Sequence, residues 1–292
     1  MFFPLRTENL LFIDKLKKSW LIILGLLVLY VPTFYNLSQT LWAGDEQAHG
    51  PLILGIVLYL FWKNHSFFLE EGEPSLFIGS LFFLLGLICY ILGRSQDILI
   101  FEIGSLSLVL LGLVWGLKGR TIGKHFLFPI LFSLFMVPLP GFVVDLLTGS
   151  LKRHISEIAE AVLYYCGYPV ARQGVVIMVG SYQLLVADAC SGLHSIFSLS
   201  AVGILYIHLM EYKNRTRNYL LALCIVPIAF FANLCRVIAL ILITYYLGDE
   251  VGQGFIHGFT GIFLFVIALF TLFLLDSVLG MVYKQKNSLQ KV

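Results

Sequence analysis

Long apolar runs decide what this chain can fold into. They cover residues 19–37, 50–62, 76–92, 98–117, 125–147, 191–210, 219–246 and 258–282, the second extending back toward Trp42. A helix needs about 20 apolar residues to cross the hydrocarbon core of a bilayer. Helices and closed barrels are the structures that satisfy their own backbone groups there. The pattern therefore predicts an all-α polytopic membrane protein with about eight transmembrane helices. Composition points the same way. The chain is 59% hydrophobic and 12% charged, where a soluble domain carries roughly 25% charge. No stretch has the composition of a separate soluble domain, so residues 1–292 read as a single membrane-embedded domain. The first expected partner is the lipid bilayer. A net charge of +2 gives no basis for nucleic-acid binding.

Basic residues orient the runs. With the N-terminus in the cytoplasm, 14 of the 19 basic residues fall in cytoplasmic segments, around Lys15–Lys18, Lys63, Lys118–Lys124, Lys213–Arg217 and Lys284–Lys291. Arg94, Lys152, Arg153, Arg172 and Arg236 are the remaining five. This places both termini inside, which an even number of spans requires. Lys15, Lys17 and Lys18 precede the first run, but no small-residue cleavage site follows it, so it reads as a span and not a signal peptide.

Residues 148–189 do not fit a span. Residues 151–165 have apolar positions at helical spacing, with Lys152, Arg153, Glu157 and Glu160 opposite, which predicts an amphipathic helix on the membrane surface. Residues 173–187 are β-branched around Gly180-Ser181 and predict a hairpin. Together they form a small extracytoplasmic helix-plus-hairpin insertion that leads into Asp188-Ala-Cys-Ser-Gly-Leu-His194. Pro138 and Pro140 are expected to kink or end the fifth run.

Five cysteines, odd in number and without a CxxC pair, are not a disulfide framework. Cys89, Cys224 and Cys235 lie in apolar runs and read as small hydrophobes. Cys190 differs because it opens the sixth span at its outer end. A helix N-terminus lowers a thiol pKa and presents backbone N–H groups, and Ser191 and Gly192 let a substrate approach closely. Arg236 lies in the seventh run, 19 residues beyond Arg217, which at about 1.5 Å per residue is about 28 Å and close to the outer edge. Asn233 shares its face one turn earlier. His257 opens the eighth span, also at the outer edge. A lone cysteine is usually a buried hydrophobe, a lone arginine a snorkelling one and a lone histidine an interfacial one. Charge-derived topology puts all three at one depth, however, and together they suit acyl transfer. The thiolate attacks a carbonyl, the histidine moves the proton, and the arginine stabilises the oxyanion or holds the substrate backbone.

Ala189-Cys-Ser-Gly-Leu193, Asn233-Leu-Cys-Arg236 and His257-Gly258 resemble the exosortase/archaeosortase family, as does Trp42…Asp45…His49-Gly50 upstream. The resemblance runs from about Trp42 into the eighth span, and the Asp188–Ser195 wording is most similar to the exosortase B type. It implies a bacterial inner-membrane cysteine protease and transpeptidase with its site at the periplasmic face and no cofactor. Its partners would be membrane-anchored proteins with a C-terminal sorting signal: a motif such as Pro-Glu-Pro, a transmembrane helix and a basic tail. Such systems accompany exopolysaccharide production. Carried over by position, Cys190 is the nucleophile, with Arg236 and His257 as its partners.

Weaker candidates support these. Asp188 orients His257, binds substrate or caps the helix. Asp45 and His49, four residues apart and predicted outside, line substrate access or join the first two spans. Asn233 supports Arg236. His194 stands at i+4 from Cys190, but no second ligand pair such as HExxH supports a metal. Two other classes stay open: a transporter or polysaccharide-export component, and a membrane acyltransferase. Against transport, no internal repeat is visible and the polar residues gather at one face.

Overall fold

The computed structural model of the chain describes residues 20–43, 49–70, 72–138, 141–185, 192–210, 214–248 and 266–281. It separates into two compact units, Met1–Pro140 and Gly141–Val292. The first contains helices α1 (Trp20–Gln39), α2 (Gly50–Lys63), α3 (His65–Leu69), α4 (Leu76–Ser95) and α5 (Leu99–Phe132), followed by a 3-10 turn at Ser133–Met136.

Spans expected at 98–117 and 125–147 appear as the two arms of α5. Gly119 breaks the helix at φ +76°, a conformation that L side chains rarely adopt. The chain reverses there: Ser107 Oγ and Ser133 Oγ are 2.8 Å apart across 26 residues of sequence. A straight helix would separate them by about 39 Å. Val114 of one arm packs with Ile122, Phe126 and Ile130 of the other. The second arm ends at Phe132, well short of residue 147, because Pro138 and Pro140 cannot continue it.

Small residues hold α4 against α5. Gly79, Gly86 and Gly93 recur every seven residues, and a Cβ on each would overlap Gly116, Val109 or the backbone of Glu102 respectively. Lipid gives apolar helices no hydrophobic reason to associate, so close backbone approach and hydrogen bonds do it instead. Glu102, 3% exposed, accepts from Thr33 Oγ1 of α1 at 2.6 Å and from Arg94 Nη1 of α4 at 3.1 Å. Tyr30 Oη lies 2.9 Å from Ser105 Oγ. Leu21, Val28, Phe77, Leu81 and Ile88 remain exposed, as lipid-facing side chains are.

The second unit runs α6 (Gly141–Tyr165), β1 (Val170–Gln173), β2 (Val176–Val179), β3 (Tyr182–Leu185), α7 (Gly192–Met210), α8 (Arg215–Leu247) and α9 (Val266–Met281). The strands form an antiparallel meander in the order β1-β2-β3. The expected hairpin is present as β2 and β3, with Val179 opposite Tyr182 and Gly180 at φ +57° in the turn. The β1 strand adds a third partner that the sequence reading left out.

The amphipathic helix, expected over 151–165, begins at Gly141, so Thr148, the expected start of the insertion, lies inside it. Its apolar face is also used differently from the expectation. Ile155, Ala159 and Leu163 pack on Ile177, Val179 and Leu184 of the sheet and on Leu234, Val237 and Ile241 of α8. Protein, not the membrane surface, covers that face. Arg172 of β1 reinforces the join, pairing with Glu160 at 2.9 Å and Glu157 at 3.6 Å on α6.

Among the described residues, four helical segments are long and apolar enough to cross a membrane: Trp20–Gln39, Leu76–Ser95, Leu99–Met136 and Arg215–Leu247. Gly50–Lys63, Phe197–Met210 and Val266–Met281 are shorter apolar helices. The chain is a multi-pass helical membrane protein that also carries a small three-stranded sheet.

Candidate active site

The second unit carries the candidate chemistry, and α8 supplies its described part. Asn214 caps this helix, accepting from the Thr216 and Arg217 amides at 3.0 and 3.3 Å. At 33 residues it is about 50 Å long, well beyond a hydrocarbon core of about 30 Å. Its far end therefore has room to carry the sheet, which packs on residues 234–241.

Arg236 and Asn233 are both interior. Asn233 is 0% and Arg236 7% exposed, on a buried stripe with Ala229, Ala232, Leu240 and Thr244. Tyr219, Leu223, Val226 and Phe231 of the same helix are exposed. A snorkelling arginine would keep its head in solvent, so burial removes that reading for Arg236. On the N-terminal side of Arg236 the stripe is small: Ala229 and Ala232 meet Leu199 of α7 and Ala268 of α9 in one cluster. The three helices that follow Cys190, carry Arg236 and follow His257 thus pack together around alanines.

Cys190, Ser191, Asp188, His257 and Asp45 lie outside the described residues. Gly192 is the first residue of α7. His49 is the N-cap of α2, with its carbonyl accepting from the Ile53 amide at 3.0 Å. The stretch from Trp42 to Gly50 has a packing reason of its own. A Cβ on Gly50 would run into the Trp42 indole, and that indole stacks on Phe34 at 5.7 Å between ring centroids.

Two buried acids escaped the sequence reading. Glu102 is one. Asp276 of α9 is the other, 4% exposed. It accepts from Arg217 Nε of α8 at 2.8 Å and from Tyr206 Oη of α7 at 2.6 Å. Each was visible as a single acid within an apolar run, the kind of residue that is costly in a membrane and usually functional or paired.

An apolar cleft of about 370 Å³ in the first unit, lined by Cys89, Phe101, Gly104, Leu108, Leu131 and Leu134 among others, has no charged side chain among its walls and offers nothing to catalysis. No curated protein and no solved structure matches the chain. Residues 41–274 match the family model for the transmembrane exosortases, a range that takes in α2 to α8, all three candidate catalytic positions and most of α9, and this chain belongs to that family.

Proposed function

We propose that the protein is a cysteine protease and transpeptidase that removes C-terminal sorting signals from exported, membrane-anchored proteins at the outer face of the bacterial inner membrane. The observation that carries this reading is the burial of Arg236. A guanidinium held inside a lipid-spanning unit, one turn from an equally buried Asn233, needs a reason, and anion stabilisation within a protein cavity is the usual one.

The helix cluster supports a common depth for the three residues. Ala229 and Ala232 stand seven and four residues below Arg236, Leu199 nine residues from Cys190, and Ala268 eleven residues from His257. These sequence offsets run from four to eleven residues, a spread of about two helical turns. The thiolate of Cys190 attacks the scissile carbonyl, and Arg236 stabilises the oxyanion. His257 as imidazolium gives its proton to the departing amine as the C–N bond breaks. Water or an amine then attacks the thioester carbonyl and releases the thiolate. Asn233 holds Arg236, while Ser191 and Gly192 leave space at the nucleophile. Asp188 serves His257 or the substrate, and Asp45 and His49 line substrate access. The architecture that goes with this is a single domain over 1–292, with eight spans, both termini cytoplasmic and residues 148–189 outside.

Co-expression with a protein bearing a Pro-Glu-Pro-type signal, and mass measurement of the processed C-terminus, tests the proposal. Processing by the parent and none by Cys190→Ala is expected. Equal processing by both sinks it and favours transport; loss of processing with an acyl chain found on the product favours acyltransfer.

A further inference from the structure

Asp276 joins three helices at one point. Its Oδ1 accepts from Arg217 Nε at 2.8 Å, its main-chain carbonyl from Arg217 Nη2 at 3.0 Å, and its Oδ2 from Tyr206 Oη at 2.6 Å. The guanidinium also closes on Oδ1 at 2.7 Å through Nη2. All three side chains belong to helix ends that the charge pattern predicts to be inside: Tyr206 is in the last turns of α7, Arg217 in the first turn of α8 and Asp276 near the end of α9. Gly280, one turn past Asp276, faces the guanidinium, and a Cβ there would come within 3.1 Å of Nη2.

This cluster adds to cohesion, and it also does something the surrounding contacts cannot. The surrounding contacts, Leu221, Ile225 and Leu272 with Ile204, Ile207 and Leu275, are smooth aliphatic surfaces. In lipid such surfaces gain little from meeting each other and nothing from meeting in one register. Sliding one helix past another by a turn moves it about 5.4 Å and exchanges one aliphatic contact for another. Directional bonds to a charged group do fix register, and that is the best-attested use of a buried polar pair.

The register in question reaches the catalytic end. Arg236 lies 19 residues beyond Arg217, and His257 lies 19 residues before Asp276; Cys190 lies 16 before Tyr206. In sequence, the three candidate catalytic positions thus stand 16 to 19 residues from the clamp. We propose, on the strength of the enzymatic reading above, that Asp276 is a positioning residue. By pinning Tyr206 and Arg217 it sets the height at which α7, α8 and α9 deliver Cys190, Arg236 and His257. A slip of one turn would take the arginine and histidine out of hydrogen-bond reach of the reacting atoms. Asp276 lies beyond the 41–274 family match, so the resemblance does not supply this role.

The test uses the full chain in detergent, with Cys89, Cys166, Cys224 and Cys235 replaced by serine so that Cys190 is the thiol being read. Its alkylation rate by iodoacetamide is followed from pH 5 to 10 in the parent, Asp276→Leu and Asp276→Asn, alongside melting temperature. Glu102→Ala serves as a control that weakens the first unit. Asp276→Leu takes the buried carboxylate away from Arg217 and Tyr206, so, like the Glu102→Ala control, it is expected to lose melting temperature. Its alkylation midpoint should rise toward that of a free thiol, about 8.5, and its processing of the signal-bearing protein should fall at least tenfold. Asp276→Asn, which retains an acceptor for Arg217, should restore part of both. The control should lose melting temperature without moving the midpoint. An unchanged midpoint in Asp276→Leu overturns the proposal, as does a shift of the same size in the control. A parent that alkylates at a depressed midpoint but processes nothing overturns the enzymatic reading instead, and the midpoint of Asp276→Leu still decides whether the clamp sets the register.

Discussion

Asn233 and Arg236 stand one turn apart on the buried stripe of α8, at 0% and 7% exposure. Burying a guanidinium costs several kcal/mol of hydration unless something compensates. If Arg236 acts in catalysis, its removal should disable the reaction in molecules that still fold. Arg236→Met is expected to lose processing per folded molecule by about 10²–10³-fold, the usual cost of deleting an oxyanion donor. Arg236→Lys should fall between, since an ammonium restores the charge but not the planar fork. Thermal melts and the mass of the processed substrate check both, and a methionine variant that processes at parental rate removes Arg236 from the mechanism.

Glu102 makes the opposite forecast. Its carboxylate accepts from Thr33 and Arg94 in the first unit, and neither neighbour belongs to the candidate catalytic group. Glu102→Ala should cost about 1–3 kcal/mol by leaving buried donors unmet. Arg94 contributes the smaller part because its side chain is 46% exposed and partly solvated. Chemical denaturation in detergent measures the loss, and processing per folded molecule should stay at the parental level. Loss of processing without loss of stability would show that Glu102 works in the reaction.

Glycines separate by what faces them. Gly79→Val places a Cβ on the backbone of Gly116, which cannot step aside, so a loss of about 1–3 kcal/mol from overpacking is expected. Gly25 and Gly55 have open space where a Cβ would go. Alanine there should be neutral or stabilise by up to about 1 kcal/mol through helix propensity. Melting temperatures of the three variants read this directly, and equal losses in all three would contradict the packing of α4 on α5.

Much of this architecture was legible because lipid demands so simple a code. The apolar runs anticipate α1, α4, α8 and both arms of α5, and the β-branched stretch around Gly180 anticipates the β2–β3 hairpin. Less legible were features that depend on which surfaces meet. Residues 155, 159 and 163 look alike whether lipid or protein covers them, and only the packing on the sheet and α8 distinguishes the two. The α5 turn at Gly119 was hidden for a related reason: Lys118, Arg120 and Lys124 suggested a loop, whereas a single glycine in a left-handed conformation makes the reversal. Arg236 and Asn233 could be read because a lone arginine in an apolar run stands out. Glu102 and Asp276 carried the same signal but no motif drew attention to them, and their partners come from distant parts of the chain.

Cys166 gives a direct test of orientation. It follows α6 directly and is exposed, while Cys89, Cys224 and Cys235 are partly buried. It stands between Tyr165, 88% exposed, and the turn into β1, on the segment that the charge pattern puts outside. In a Cys190→Ala background, a membrane-impermeant maleimide added to spheroplasts should label the protein, and Cys166→Ser should abolish most of that labelling. Moving the thiol to the opposite side, as Lys213→Cys with Cys166→Ser, should give labelling only after the membrane is broken, because the basic cluster through Arg217 marks the cytoplasmic end of α8. The reverse pattern would turn the whole protein over. Arg236 would then face the cytoplasm, where no exported substrate could reach it, and the sorting reading would go with it.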